Sequence, residues 1–273
     1  MRRPIQSAFL HTALAIGAVV TLFPLYWMLS ASLMPTGEAS AIPPALVPSR
    51  LTLEHYRALF SRLDLGRAFL NSAAIAVAVT TVSVFLNALA GWALAKLQFP
   101  GRQRLFSWLL AAMVVPGQVA MLPLFLLLRS LGLVNTMAGV VVPAAASLFG
   151  IFLIRQYALS VPDELLDAAR VDGASELRIF WSVGLPLCRP ALVTLALFTF
   201  VGTWSDFMWP LVVLTDESKY TLPVALAGLG GEHALDVELM MAGAVITVLP
   251  VLLLFLGLQR HYIAGITMGG VKE

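Results

Sequence analysis

Charge is what this chain of 273 residues has least of: 12% of its residues are Asp, Glu, Lys or Arg, against 59% hydrophobic, with a mean hydropathy of +0.89. That balance excludes a soluble globular domain and marks a membrane protein. The net charge of +2 is too small to point to nucleic acid. A single cysteine, Cys188, excludes an internal disulfide; beside Leu187 it reads as a small apolar residue, not a reactive thiol. His11, His55, His233 and His261 have no partners at metal-ligand spacing, so no metal site is legible. The lysines follow Ala95, Ser218 and Val271, so there is no Gly-Lys pair and no phosphate-binding loop for ATP. No His-Glu-x-x-His or Gly-x-Ser-x-Gly occurs, which leaves an intramembrane enzyme without its usual residues.

What is present is hydrocarbon in long runs. Six of them predict an all-α membrane protein with six transmembrane helices, at about 9–33, 68–97, 105–128, 137–154, 190–214 and 239–258, in one membrane domain covering 1–273. The first follows Arg2-Arg3 but is too long for a signal peptide and carries Pro24 and Tyr26-Trp27, so it is read as an uncleaved span. Residues 34–67 form a polar, lid-like loop in which Thr52 caps a short helix burying Leu53, Tyr56, Leu59 and Phe60. The second span is crowded with Ala, Ser, Thr and Gly, residues that let membrane helices approach closely. Pro116-Gly117 and Pro123 break the third; a break of that kind either lines a cavity or is a plain kink. Between the last two spans lies a loop with Asp216, Glu217, Lys219, Glu232 and Asp236 and a flexible Gly228-Leu-Gly-Gly231.

An even number of spans puts both ends on one face, and the cations decide which. Arg2, Arg3, Lys96, Arg102, Arg104, Arg155, Arg170, Arg178, Arg189, Arg260 and Lys272 lie on the N-terminal side, eleven against the six of Arg50, Arg57, Arg62, Arg67, Arg129 and Lys219. Four of those six sit in one long loop, which counts less, so both termini are placed in the cytoplasm.

On that same side the loop 155–189 concentrates charge. Asp163, Glu164 and Asp167 favour the start of a short helix after Ser160 as N-cap and Pro162. Ala168 and Ala169 present almost no side chain, Gly173 supplies a left-handed stop, and Ser175 starts a second turn. Leu185-Pro186 and Pro190 then lead into the fifth span. The plain alternative for such a stretch is a solvated connector, but a connector needs neither paired alanines nor a fixed Gly-to-Leu-Pro distance.

Asp167-Ala168-Ala169, Gly173 and Val183-x-Leu185-Pro186 resemble the E-A-A-x-x-x-G-x9-I-x-L-P signature of permease subunits of binding-protein-dependent ABC importers, with Asp for Glu at 167 and Val for Ile at 183. Trp204-Ser-Asp-Phe-Met-Trp-Pro-Leu211, Tyr220-Thr-Leu-Pro223 and Gly265-Ile-Thr-Met-Gly-Gly-Val-Lys272 are similar to the carbohydrate branch, the shorter permease of maltose- and glycerol-phosphate-type systems, though Ser205 stands where Asn is common. The resemblance implies the type I ABC importer permease (MetI-like) fold, with a cytoplasmic coupling helix in a bacterial or archaeal inner membrane. It implies a second homologous permease, an ABC ATPase dimer that binds the ATP and Mg, and an extracytoplasmic substrate-binding protein. The chain itself would then need no cofactor and catalyse nothing.

The residues the resemblance marks for ATPase docking are Asp163, Glu164, Asp167, Ala168, Ala169, Asp172, Gly173, Leu185 and Pro186. Trp204, Ser205, Asp206 and Trp209 are candidates for the translocation path or gate. The aromatics Trp204, Phe207 and Trp209 either stack on a sugar or anchor the span at the interface. The segment 215–237, with Gly228, Gly230 and Gly231, is the expected binding-protein contact. The competing reading is an ion-coupled secondary transporter. It needs ionisable groups near the bilayer centre, and Asp206, about 24 Å along its span, lies in the outer part.

Overall fold

The computed structural model describes residues 2–62, 64–232 and 236–270, and among these it is helical with no strand. In chain order the helices are α1 (Arg2–Ala31), α2 (Glu54–Arg62), α3 (Leu65–Lys96), α4 (Arg102–Ala112), α5 (Met121–Ser130), α6 (Met137–Val141) and α7 (Leu148–Ala158). There follow α8 (Asp163–Val171), α9 (Glu176–Ile179), α10 (Leu185–Leu187), α11 (Arg189–Trp204), α12 (Met208–Val213), α13 (Leu222–Glu232) and α14 (Val237–Gly270). A π-turn, Phe180–Gly184, joins α9 to α10. His233 and Lys272 lie outside the described residues, as do positions 233–235 of the expected binding-protein segment.

Among the described residues, three helices hold uninterrupted stretches long and apolar enough to cross a membrane: Phe9–Ala31, Leu65–Lys96 and Val237–Gly257. Two bent pairs pass the same test only when each is taken together, α4 with the segment Gly117–Ser130 at 93° and Glu176–Leu187 with α11 at 77°, each a broken span or a re-entrant loop. The third run is therefore not one helix over 105–128. Pro116 sits in extended geometry (ψ 131°) where the helix would need αR, and the ladder stops. The fourth run likewise resolves into α6 and α7, because Pro143 interrupts it and Ser147 starts α7 afresh by accepting the Gly150 amide. The fifth ends its first helix at Trp204, and α14 continues to Gly270 where the sequence predicts an end near 258.

The chain divides into two compact units. In the first, Met1–Gly66 with Leu222–Pro250, the C-terminal end of α1 holds the following loop: Tyr26 Oη and Ser30 Oγ donate to the Leu46 carbonyl at 3.1 and 2.8 Å. The Thr52 hydroxyl does accept the Glu54 amide. Of the apolar residues expected inside under α2, only Leu59 is fully buried, with Tyr56 half-buried and Leu53 and Phe60 exposed. The inward stripe runs through His55 and Leu59, four apart, and positions 53 and 60 fall off it. The glycines 228–231, expected to be a flexible loop, lie inside α13. Pro223 in its first turn and an apolar face outweigh the helix cost of glycine, and Gly243 of α14 lets Leu226 come so close that a Cβ would stand 2.6 Å from its Cδ2.

In the second unit, Arg67–Thr221 with Val251–Glu273, α3 is approached as closely as its small residues suggest. A Cβ on Gly91 would lie 2.7 Å from Ile154 Cβ in α7, and one on Gly184 would lie 2.8 Å from the Trp92 ring. Trp92, Ala88 and Ala95 of α3 share a core with Ala158, Leu166, Ile179, Phe180 and Cys188. Arg155 of α7 lies over the Phe106 ring at 3.7 Å and donates to the Leu94 carbonyl at 3.3 Å, while Arg102 donates to the Leu97 carbonyl at 2.8 Å. Cations thus satisfy the last carbonyls of α3.

Candidate functional site

The motif stretch forms a helix and a sharp turn, as its residues dictate. Asp163 and Glu164 occupy the first turn of α8 and Arg170 the last, each at the end of the helix dipole that favours its charge. Gly173 stands at φ +81°, the left-handed stop, and donates to the Arg170 carbonyl. Ser175 caps α9 by accepting the Arg178 amide. One expectation fails: Ser160 does not cap α8. Its hydroxyl donates back to the Tyr157 carbonyl at 2.7 Å, and the extended Pro162 (ψ 134°) stands between it and the helix.

α8 is anchored by one face. Leu166 is buried against Val161, Ala158 and Ile179, worth about 1.5–3 kcal/mol. Ala169 is partly buried in the same cluster. The opposite face is open: Glu164, Leu165, Asp167, Ala168 and Asp172 are exposed, and Val171 is 88% accessible. Leu165, Ala168 and Val171 therefore form a small, smooth apolar strip rimmed by carboxylates. Downstream, Leu185 packs into the core while Pro186 faces out.

Charge locks this element in place. Arg170 donates to Asp167 Oδ1 and Glu176 Oε1, each at 2.7 Å, bracing α8 against α9 across Gly173. These two acceptors hold its guanidinium proton more tightly than usual. Lys96, at the end of α3, donates from Nζ to Asp163 Oδ1 and to the Val161 carbonyl, both at 2.6 Å. That hydrogen bond first, and the lysine's charge second, hold the Asp163 carboxyl below its ordinary range. Between the end of α3 and α8 lies a cleft of about 760 Å³ lined by Phe99, Arg102, Asp163, Asp167, Arg170 and Glu176 among others.

The candidates at 204–209 separate. Trp204 is 1% exposed, edge-on to Phe69 at 5.3 Å and stacked on Phe200 at 5.9 Å. It is a packed residue of this chain, presenting neither a free stacking face nor a lipid-facing ring. Ser205 closes α11, and Asp206 Oδ1 accepts the Trp209 amide at 3.4 Å, in the gap before α12. Trp209 Nε1 donates to the Gly139 carbonyl at 3.2 Å, joining α12 to α6.

After α12 the loop 215–220 is held by a dense set of hydrogen bonds. Asn135, at φ +58°, accepts the amides of Thr215 and Asp216 on its Oδ1, and Lys219 donates back to the Asn135 carbonyl at 3.0 Å. Asp216 accepts from the Ser218 hydroxyl and amide, which hold its carboxyl low. Asn71 of α3 donates to the carbonyls of Ser218 at 3.0 Å and Tyr220 at 3.1 Å. Gly228 is exposed on α13, which also carries Gly230 and Gly231.

Sequence reading passed over Asn71, Asn87 and Glu238, and took Lys96 only as one of the cations that set the topology. Asn87 is fully buried in α3, donating to Ser83 Oγ at 2.7 Å and accepting the Ser147 amide. Glu238 is fully buried in α14 and accepts the Ala39 amide at 2.7 Å. The available signal was a polar side chain inside an apolar run, which is expensive unless partnered.

A family model described as "Binding-protein-dependent transport system inner membrane component" matches residues 87–267. The chain is 39% identical over 272 residues to the arabinooligosaccharides transport system permease protein AraQ of Halalkalibacterium halodurans, covering 98% of each. It is 32% identical to the diacetylchitobiose uptake system permease protein NgcG of Streptomyces coelicolor, covering 96% of this chain and 88% of the relative. Among solved structures it is similar to a chain of a bacterial ABC transporter involved in the import of the acidic polysaccharide alginate, with TM-score 0.82 at 26% identity, covering 95% of this chain and 97% of that one.

Proposed function

The chain belongs to the family of inner membrane components of binding-protein-dependent transport systems, and from that premise we propose that it forms, with a second permease, the translocation path of an ATP-driven importer for an oligosaccharide or sugar derivative. Its relatives' names speak of arabinooligosaccharides and diacetylchitobiose, and such a solute suits a chain of long apolar runs with 12% charged residues. The chain supplies the path and no catalysis. ATP and Mg belong to a separate ATPase dimer, and the solute is handed over by an extracytoplasmic binding protein. Both termini and α8 face the cytoplasm, in keeping with the eleven cations on that side.

One observation carries this reading. α8 is a short helix fixed by Leu166 on one side, braced at both ends by ion pairs, and left bare on the other along Leu165, Ala168 and Val171. An apolar strip with an alanine at its centre, rimmed by Glu164, Asp167 and Asp172, is shaped to sit in a groove of another protein. When the ATPase subunits close on ATP, the handle moves as a body, and α11 follows through Leu185-Pro186. The loop 215–220 is a contact for the binding protein, and α13, taken by itself, is another.

Ala168→Trp tests the docking role. Position 168 faces out, so the variant should insert and melt like the wild type while losing co-purification with the cognate ATPase and ATP-dependent uptake. Full uptake by that variant overturns the assignment. Ala169 is a poorer probe, since it is partly buried in α8's own core. The solute class is read by which sugar raises the melting temperature of the cognate binding protein.

A further inference from the structure

Resting on the function just proposed, we propose that α3 is a connecting rod through which the docked ATPase and the extracytoplasmic loop 215–220 act on one another, with Lys96 as its cytosolic grip and Asn71 as its outer grip.

Three buried polar side chains on one unbroken helix define the rod. At the cytosolic end the Lys96 side chain is only 4% exposed, and its ammonium holds both the first residue of α8 and the Val161 carbonyl just before it. Near the middle, Asn87 ties α3 to the start of α7 through the Ser147 amide. At the outer end Asn71, 8% exposed, holds the Ser218 and Tyr220 carbonyls. From position 71 to position 96 the helix rises about 38 Å.

The route through the chain itself is a worse conductor of movement. From α8 it passes a left-handed glycine, a π-turn and a 77° bend, then α11 and the gap at 205–207 before α12 begins. Each is a place where backbone torsions absorb displacement. α3 has no such place, and its close packing at Gly91 and against Gly184 resists bending. A shift imposed on α8 therefore arrives at Ser218 and Tyr220 through two charge-assisted or amide hydrogen-bond sets and a stiff helix. That is a contiguous physical link between two sites.

Linkage makes the claim testable in both directions. The complete importer, with both permeases, the ATPase dimer and the binding protein, is reconstituted with Lys96→Met, Lys96→Arg, Asn71→Leu and the double variant Lys96→Met/Asn71→Leu. Two quantities are read: maximal stimulation of ATP hydrolysis at saturating, sugar-loaded binding protein, and the factor by which a non-hydrolysable ATP analogue changes binding-protein affinity. Lys96→Met should cut that factor about tenfold although it lies some 38 Å from the loop, and Lys96→Arg should retain most of it. Asn71→Leu should lower maximal stimulation without changing basal hydrolysis. The double variant should be no worse than the poorer single, because the grips act in series.

Multiplying effects in the double variant, or wild-type coupling in both Lys96→Met and Asn71→Leu, overturns the rod. So does an Asn71→Leu defect that saturating binding protein repairs, since Asn71 then only shapes a contact. Loss of co-purification with the ATPase in Lys96→Met also overturns it, making Lys96 a docking residue. Should Lys96→Met fail to insert, Lys96→Arg and Asn71→Leu still decide. Failure of the wild-type chain to bind any ATPase refutes the proposed function instead, so the two failures are distinct.

Discussion

At the scale of single residues, the positions that matter are those where one atom more or one charge fewer has nowhere to go. Gly91→Ala places a Cβ 2.7 Å from Ile154 Cβ, with branched side-chain and backbone atoms around it. Overpacking of this kind costs about 1–3 kcal/mol, more than the roughly 1 kcal/mol that Ala gains over Gly in a helix. The purified chain in detergent should therefore melt lower. A second case is Asp163, whose carboxyl is held below its ordinary range by Lys96. A depressed pKa in the folded chain means stability that is present above the unfolded carboxylate range and lost as pH falls through the folded value. Hydrogen-exchange protection of α8 should hold from pH 7 to the ordinary carboxylate range and drop below it, more gently in high salt because Asp163 is exposed. In Asp163→Asn the drop owed to this pair should vanish. Gly91 and Lys96, the partner of Asp163, illustrate what the sequence conceals: Gly91 is one glycine among twenty, and Lys96 is an ordinary cation at a span end until Val161 and Asp163 are seen around it.

At the scale of elements, what could be read in advance was whatever local chemistry decides. The α8 stretch was legible because acids at its start, Gly173 at its end and Ser175 at the next start are all local signals. Ser160 misled for the same reason: a serine before an acidic turn is a cap by pattern, but the extended Pro162 puts it out of reach. Hydropathy found the apolar runs and missed their interruptions, since a run of Leu and Val reads the same whether straight or bent by 93°. The Gly228–Gly231 stretch became helix because packing of α13 on Gly243 overrode a weak propensity. The bend after α4 leads to a prediction of its own. Carbonyls released around Met113–Val115 need water or protein donors, since lipid offers none. In a Cys188→Ala background of the assembled importer, Val119→Cys should react with a water-soluble maleimide, and Val20→Cys on the unbroken α1 should not. Equal protection of both would place the bend in lipid-free protein packing with no aqueous lining.

At the scale of the whole molecule the question is where the energy for transport enters, and Asp206 is the residue on which the two sources give opposite answers. An ion-coupled transporter would need its carboxylate to take up and release a proton in each cycle, so Asp206→Asn should abolish uptake. In the structure Asp206 has a different occupation: an acceptor oxygen for the Trp209 amide, which turns the chain from α11 into α12 and sets Trp209 against Gly139. An asparagine keeps that oxygen and gives up the charge. Asp206→Asn should thus retain uptake within about threefold, while Asp206→Leu, lacking any acceptor, should lose roughly the 1 kcal/mol of a helix cap and a larger share of uptake. The same distinction can be drawn without mutation. In cells held at constant ATP, an uncoupler should leave the initial rate of uptake unchanged, whereas disabling the cognate ATPase should stop it. Together these results would place the engine outside this chain, in a partner gripping α8, where the strip of Leu165, Ala168 and Val171 lies open beside the buried anchor Leu166.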